Sequence, residues 1–565
     1  MSSSGADNAA VEVDRDLSQR TASWGLAIVL VLALALRLYG LNWDDGFGWT
    51  PHPDERAILF KVVDLSFPGI SDLPLLLDAD ESPWNPRWFP YGSFPIYLLK
   101  TAGVISSFVP GFDSNDLRVP GRAVSALADV ATIALVYALG AMVWSRRVGL
   151  LASALVAIAV IHIQLSHFFA VDTLMALFCF ATMLFLVRVA RSGKLSDSVL
   201  AGIFLGLGLA TKISVAPILA AYFVAHFIAA FGLSGSGESQ DESFAGRATD
   251  VAGNTLIGTL AIIAAFLVAQ PYALLDWNRF SADIIEQSEM VRRIRDYPYT
   301  RQYIDTTPYL YHIQQLSVWG LGLPLGIVAW AGMIYAALKG LRLWWSLAYI
   351  LAGVCLPAGI LVLSGSLVSL VLASSISVGA LVLTIPLRRG DTRITALLLC
   401  WVVPYFLITG AFDIKFMRYM IPITPFLLLF AALLLTDVWC GVGRLSAKAG
   451  SLAKTGLSIT GALALLATVF YAVSYVGIYS ETHSAVRSGE WIQSNVPRDS
   501  LILREHWDEG VPGLGAYEWQ DLELYNHDSQ PKLLKMSDQL AKGDYILIYS
   551  NRLYGTIPRL PERYP

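Results

Sequence analysis

The stretch FFAVDTLMALFCFATMLFLV, residues Phe168–Val187, decides the class of this chain. It carries a single charge, Asp172, near its start. A helix of about 20 mostly apolar residues crosses the hydrocarbon of a bilayer, where every backbone polar group must be satisfied internally. One such run also suits a buried helix of a soluble protein, so the deciding fact is repetition. Over the 565 residues the same rule predicts about thirteen spans. They are 23–39, 119–144, 148–166, 168–187, 196–211, 213–232, 252–271, 318–338, 343–364, 367–387, 394–410, 419–438 and 456–478. Composition agrees: 55% of residues are hydrophobic and 15% charged, with mean hydropathy +0.55. An average soluble chain carries about 25% charged residues, so this one cannot cover a globular surface with charge. The expected fold is a polytopic α-helical membrane protein. A net charge of −4 gives no reason to expect nucleic acid as a partner. The four cysteines form neither a disulfide framework nor a CxxC pair.

Orientation follows from Lys and Arg in the short loops. With residues 1–22 as a cytoplasmic tail, the inner segments carry sixteen basic residues, among them Arg146, Arg147, Arg188, Arg191 and Arg388. The short outer connections carry only Lys212, Lys415 and Arg418. Polar residues precede the first run and Arg37 closes it, so it reads as an uncleaved anchor. The membrane domain then covers 23–478, with outer loops 42–118 and 272–317. An amphipathic stretch is expected around Ile284–Ile294. Residues 479–565 form an outer α/β module with a helix at Ser484–Ser494 and strands at Ser500–Glu505 and Asp544–Tyr549. The Gly/Ser-rich inner loop 232–250 reads as a flexible linker.

Candidate chemistry collects at the outer edge. Pro51-His52-Pro53-Asp54-Glu55-Arg56 sets two adjacent carboxylates near the membrane surface. A neighbouring charge and partial desolvation would raise one pKa and suit a general base. A plain helix start, which also favours acids, is the other reading. Asp172 lies in the short turn His167–Thr173, where a carboxylate at the hydrocarbon edge needs a partner. It would equally serve as an N-cap. Lys212, Lys415, Arg418 and Arg122 are placed to hold a lipid-linked phosphate. Snorkelling, or pairing with Asp413 or Asp129, is the alternative. The histidines form no HExxH or similar pair, so spacing reveals no metal site, and His162 and His226 read as packed or capping residues. Gly206 and Gly208 read as close helix packing. The aromatic first loop (Trp43, Trp49, Trp84, Trp88, Phe89, Tyr91) reads mainly as an interfacial anchor, with stacking on sugar rings as the other reading.

Four ordered segments resemble the GT-C superfamily of membrane glycosyltransferases, in particular the group of protein O-mannosyltransferases and aminoarabinose transferases. They are Asp54-Glu55, the turn His167–Thr173, Gly206-Leu207-Gly208-Leu209-Ala210-Thr211-Lys212, and Arg418-Tyr419-Met420-Ile421-Pro422-Ile423-Thr424-Pro425. The resemblance covers roughly residues 23–440. It implies a GT-C-like fold and transfer of a sugar from a polyprenyl- or dolichyl-phosphate carrier to a lipid, glycan or protein acceptor on the outer face. An inverting single displacement is implied, at the plasma membrane of a prokaryote and among membrane lipids. Asp54 would be the base, with Glu55 and Asp172 beside it. Lys212, Arg418, Lys415 and Arg122 would bind the donor phosphate, and His52, His167 and Tyr419 are further candidates. A divalent metal supported by Asp172 is left open as a cofactor. Where some relatives carry Lys-Pro-Pro before the second span, this chain has Tyr91-Gly92-Ser93, so no phosphate or metal role transfers to that place. The C-terminal module resembles that of prokaryotic relatives, some of which continue past Pro561–Pro565, and this resemblance implies that the chain is truncated there. A transporter or flippase of lipid-linked glycans is the rival class; it predicts charges at mid-membrane and inverted repeats. An oligosaccharide ligase is the third reading.

Overall fold

The apolar runs fold as helices in chain order. The computed structural model describes residues 16–109, 116–231, 244–339, 391–442, 446–507 and 509–565, with isolated residues between 375 and 388. The first half comprises α1 (Gln19–Leu38), α2 (Pro53–Asp64), α3 (Ser93–Ser106), α4 (Arg118–Val143), α5 (Arg146–Ala157), α6 (Val160–Ser166), α7 (Asp172–Ser192) and α8 (Leu195–Thr211). There follow α9 (Ile218–Ala230), α10 (Phe244–Ala269), α11 (Trp277–Val291), α12 (Leu323–Leu338), α13 (Asp391–Gly410), α14 (Thr424–Val442) and α15 (Ala447–Val476). Eight described helices are long and apolar enough to cross a bilayer, or nine if the bent α5–α6 pair is one span. The chain is therefore an integral membrane protein. Two of the expected spans fold as apolar helices below that length: α8 has 17 residues and α12 has 16. The expected spans 343–364 and 367–387 lie outside the described residues, as does most of the expected inner linker.

The centre of the bundle is where the sequence is most uniformly apolar. In α7 and α13, 78% and 83% of the apolar stretch is buried, against 17% in α1 and α10. Phe180 of α7 stacks on Phe426 of α14 at 4.4 Å, and Trp401 of α13 is fully buried. Gly202 and Gly206 of α8 face backbone of α10 so closely that a side chain at either would collide with it. Gly206 is therefore a packing glycine, as its sequence context suggests.

The span expected over 148–166 is broken. Helices α5 and α6 meet at 58° across Ile158-Ala159, which contains neither Pro nor Gly. A break in lipid frees carbonyls that water cannot reach. Arg37 supplies the donors: its guanidinium bonds Ala157 O (3.0 Å), Val156 O (3.3 Å) and Ala33 O (3.2 Å). Its Nε bonds Asp129 (2.6 Å), whose other oxygen lies 2.6 Å from His162 Nδ1. Arg37, Asp129 and His162 are all fully buried. Arg37 thus does more than close the first span, and Asp129 pairs with it rather than with an outer-edge cation.

The segments expected as outer loops form small helices. The amphipathic helix of the second loop is α11, which begins seven residues before the stretch expected from sequence. The tail comprises α16 (Ser484–Asn495), β1 (Leu501–Glu505), β2 (Glu518–Leu522), α17 (Gln530–Lys542) and β3 (Tyr545–Leu547). Its three-stranded parallel sheet has the order β2-β1-β3. The tail is tied to both loops. Glu509 accepts two bonds from Arg56 (2.6 and 2.7 Å) and one from Trp49 (3.3 Å). Arg301 donates to Tyr564 Oη at 2.9 Å, and Arg559 to Gln302 O at 3.0 Å.

Candidate active site

Two acid–base pairs meet where α2, α7, α8 and the loop before α14 come together. Asp54 sits in the first turn of α2, which the sequence starts well: Pro53 opens it and His52 Nδ1 caps it, accepting from Glu55 N at 3.3 Å. The helix-start reading and the site reading therefore both apply to this segment. Asp54 is ion-paired with Arg418, which lies in a short 3₁₀ turn, Met417–Met420. Burial pushes the Asp54 carboxyl up, but Arg418, with His52, Tyr91 and Lys212 nearby, outweighs it and holds the group below its usual range. The carboxyl is therefore not raised as adjacency to Glu55 suggested.

Asp172 is the first residue of α7; Val171 occupies the N-cap without a side-chain bond, so Asp172 is not the cap. Lys212 lies just past the last turn of α8 and approaches Asp172 Oδ1 at 3.8 Å. That oxygen is buried and accepts no hydrogen bond, so charge compensates it while its lone pairs stay available. Lys212 Nζ also lies 5.2 Å from the Tyr419 ring and 5.5 Å from the Tyr91 ring. The Arg418 guanidinium lies 4.7 Å from the Phe416 ring. The result is two carboxylates and two cations, lined by aromatic faces, at one end of the bundle. Each carboxylate thus has an oppositely charged side chain beside it.

The other expected site residues go elsewhere. Arg122 is fully buried and spends all five N–H donors: two on Glu55 (2.8 and 2.8 Å), two on Asp44 (2.8 and 2.9 Å) and one on Leu41 O (2.6 Å). No donor is left for a phosphate. Glu55 is fully buried in the same knot and also accepts from Phe169 N (2.9 Å), so it is not free to act as a second catalytic acid. The knot ties the first loop, α2, α4 and the turn before α7 together. Lys415 is buried and donates to Asp413 O (3.2 Å) beside His312; burial lowers its pKa to about 8. His167 braces the turn, with its ring nitrogens 2.8 Å from Ile163 O and 2.9 Å from Tyr39 O, and its ring stacked on Tyr479. His52 stacks on Phe168 at 4.3 Å; burial lowers its pKa to about 4, so it is neutral at pH 7.

Sequence reasoning missed Tyr91, which it assigned to interfacial anchoring. Its ring lies 5.5 Å from Lys212 Nζ. The readable signal was Gly92: a glycine after an aromatic residue marks a place where backbone comes close to another element. Among the described residues no three His, Cys, Asp or Glu side chains come together as metal ligands.

Residues 112–235 match the family model described as dolichyl-phosphate-mannose-protein mannosyltransferase. No protein of curated function matches the chain. Similar solved structures include the archaeal oligosaccharyltransferase AglB from Archaeoglobus fulgidus in complex with an inhibitory peptide and a dolichol-phosphate. It is 16% identical, with a TM-score of 0.48, over 89% of this chain and 65% of that one. This chain therefore spans less than two thirds of the archaeal protein's length. ArnT from Cupriavidus metallidurans bound to undecaprenyl phosphate is 12% identical, with a TM-score of 0.43, over 94% of this chain and 90% of that one.

Proposed function

We propose that this chain, whose residues 112–235 match the dolichyl-phosphate-mannose-protein mannosyltransferase model, moves a sugar from a polyprenyl- or dolichyl-phosphate carrier to an acceptor on the extracytoplasmic face. The observation that carries the reading is the pairing of Asp54 with Arg418 and Asp172 with Lys212 at one edge of an apolar bundle. A lipid carrier keeps its tail in the bilayer, so its phosphate sits at that edge. Both cations are there, and both carboxylates are beside them.

The step is a single displacement. An acceptor oxygen attacks the anomeric carbon as its proton passes to the Asp54 carboxylate. The bond from the anomeric carbon to the phosphate oxygen breaks, and its electron pair leaves with the phosphate. Arg418 and Lys212 stabilise the charge that grows there. The transition state has oxocarbenium character, as in glycoside hydrolysis. Asp172 Oδ1, buried and unbonded, accepts a hydroxyl of the sugar or acceptor. Sixteen inner-loop cations against three at the outer edge support an outward-facing site with a cytoplasmic N-terminus.

The test uses purified protein in liposomes with radiolabelled polyprenyl-phosphate sugar and an outer-leaflet acceptor extract. The expected product has the anomeric configuration opposite to that of the donor, read by NMR. Retention would exclude single displacement. A labelled lipid that crosses the bilayer without transfer would favour the flippase reading.

A further inference from the structure

The end of the bundle away from the site carries a groove that sugar transfer does not use. Helix α14 follows the Arg418 turn and starts at Thr424; its residues Leu435–Cys440 border the groove. At 1.5 Å per residue they lie about 17–24 Å from Thr424 along the helix axis. There α5, α14 and α15 line a cavity of about 590 Å³. Its walls include Leu150 and Ala154 of α5, Leu435 and Trp439 of α14, and Leu457 and Gly461 of α15. A Cβ at Gly461 would meet nothing within 4 Å, so the space over this glycine is open rather than packed. The hydroxyl of Thr436, also at the wall, is already bonded to Ala432 O at 2.7 Å. A mostly apolar groove among membrane spans is filled by hydrocarbon rather than water.

The mouth of the groove is cationic. Arg147, in the first turn of α5, borders the cavity and is exposed. Lys454 precedes Leu457, Ser458 and Gly461 by three, four and seven residues, so it shares their face of α15, and it too is exposed. Among the described residues no hydrogen bond or ion pair holds either cationic group. The acids of these elements are engaged elsewhere. Asp16 accepts from the backbone amides of Arg146 and Arg147 (3.1 and 3.3 Å) and lies 3.6 Å from the Arg146 guanidinium. Asp437 of α14 accepts from Tyr335 and Lys339, each at 2.6 Å. Arg147 and Lys454 therefore stand as two uncompensated positive charges at the open end of an apolar slot.

We infer that this groove binds an anionic glycerophospholipid of the leaflet opposite the transfer site: Arg147 and Lys454 take the headgroup, and one acyl chain lies between α5, α14 and α15. The charge selects among lipids. A zwitterionic headgroup brings its own cation, which the two side chains repel. Phosphatidylglycerol brings net negative charge, and a guanidinium bonds its phosphate through two N–H groups. The excess of Lys and Arg in the loops at this end supports the cytoplasmic leaflet, where anionic lipids attract such clusters. The assignment stands apart from the sugar-transfer reading.

The test titrates full-length, delipidated protein in detergent with dioleoyl phosphatidylglycerol or dioleoyl phosphatidylcholine, and counts bound lipids by native mass spectrometry. Wild type should retain at least one phosphatidylglycerol under conditions that strip phosphatidylcholine. Arg147→Gln combined with Lys454→Gln should weaken that binding about tenfold or more, on the scale of two cations at a lipid surface. Gly461→Phe should retain one phosphatidylglycerol fewer than wild type, because its ring occupies the groove. Its lipid-free melting temperature should stay near wild type, since a Cβ there meets no neighbour. Equal retention of the two lipids by wild type overturns the proposal. Gly461→Phe with wild-type retention also overturns it, since the chain then lies elsewhere. Should Gly461→Phe fail to fold, the double glutamine variant decides. Both its positions are exposed, and unchanged phosphatidylglycerol affinity in it overturns the proposal.

Discussion

Asp54→Asn is expected to lower turnover by about a thousandfold or more while the protein stays folded and donor binding is kept. General-base catalysis contributes about 10²–10⁴ in rate. Asn keeps the shape of the side chain and removes its proton acceptor. The substitution also releases Arg418 from its carboxylate, and a freed guanidinium binds phosphate better. Donor affinity in Asp54→Asn should therefore equal or exceed wild type, which a calorimetric titration with the polyprenyl phosphate alone would show. A site damaged by misfolding would lose both binding and turnover. Asp54 is held below the usual carboxylate range, so the base is already ionised throughout the neutral range and activity falls only as the medium becomes acidic. His52 adds no limb near neutrality, since its pKa lies at about 4. Normal turnover by Asp54→Asn would remove the base assignment.

The spans were legible because each is a local property. A run such as Phe168–Val187 becomes α7 whatever the rest of the chain does. The break between α5 and α6 was not legible, because nothing at Ile158-Ala159 signals it. The groups that stabilise it lie in Arg37, about 120 positions earlier in the chain. The same logic divides the site. Asp54, Asp172, Lys212 and Arg418 could be read as charges at helix ends, since the ends follow from the spans. Their partners could not. Arg122 goes to Asp44 and Glu55, and Asp129 goes to Arg37 and His162, because helix rotation sets which charges meet. In the tail, β1 carries the apolar run LILRE and shows itself. Strand β2, EWQDL, is an edge strand with a half-exposed face, so its alternation is weak, and α17 after it was missed with it.

The knot under α2 carries the other large effect. Arg122→Leu removes one guanidinium and leaves Asp44 and Glu55, both buried, with less than half of their donors. Removing one partner of a buried ion pair typically costs about 3–5 kcal/mol, because the remaining charge has neither water nor a counter-ion. Arg118 offers Asp44 a partial substitute at 3.2 Å, whereas Glu55 keeps only the Phe169 amide. The expected result is a clear drop in the melting temperature of the detergent-solubilised protein. Turnover should fall with it, since Asp54 is the residue before Glu55 on the same helix turn. Arg122→Lys should recover part of the loss at most, because three donors on one nitrogen cannot bridge two carboxylates and a carbonyl. Glu55→Gln combined with Arg122→Leu should cost less than the sum of the two, since neutralising Glu55 removes the orphaned charge. A phosphate ligand would behave in the opposite way: Arg122→Leu would raise donor KM and leave the melting temperature unchanged. With all five N–H groups of Arg122 already bonded inside the protein, the melting temperature is the quantity that should move.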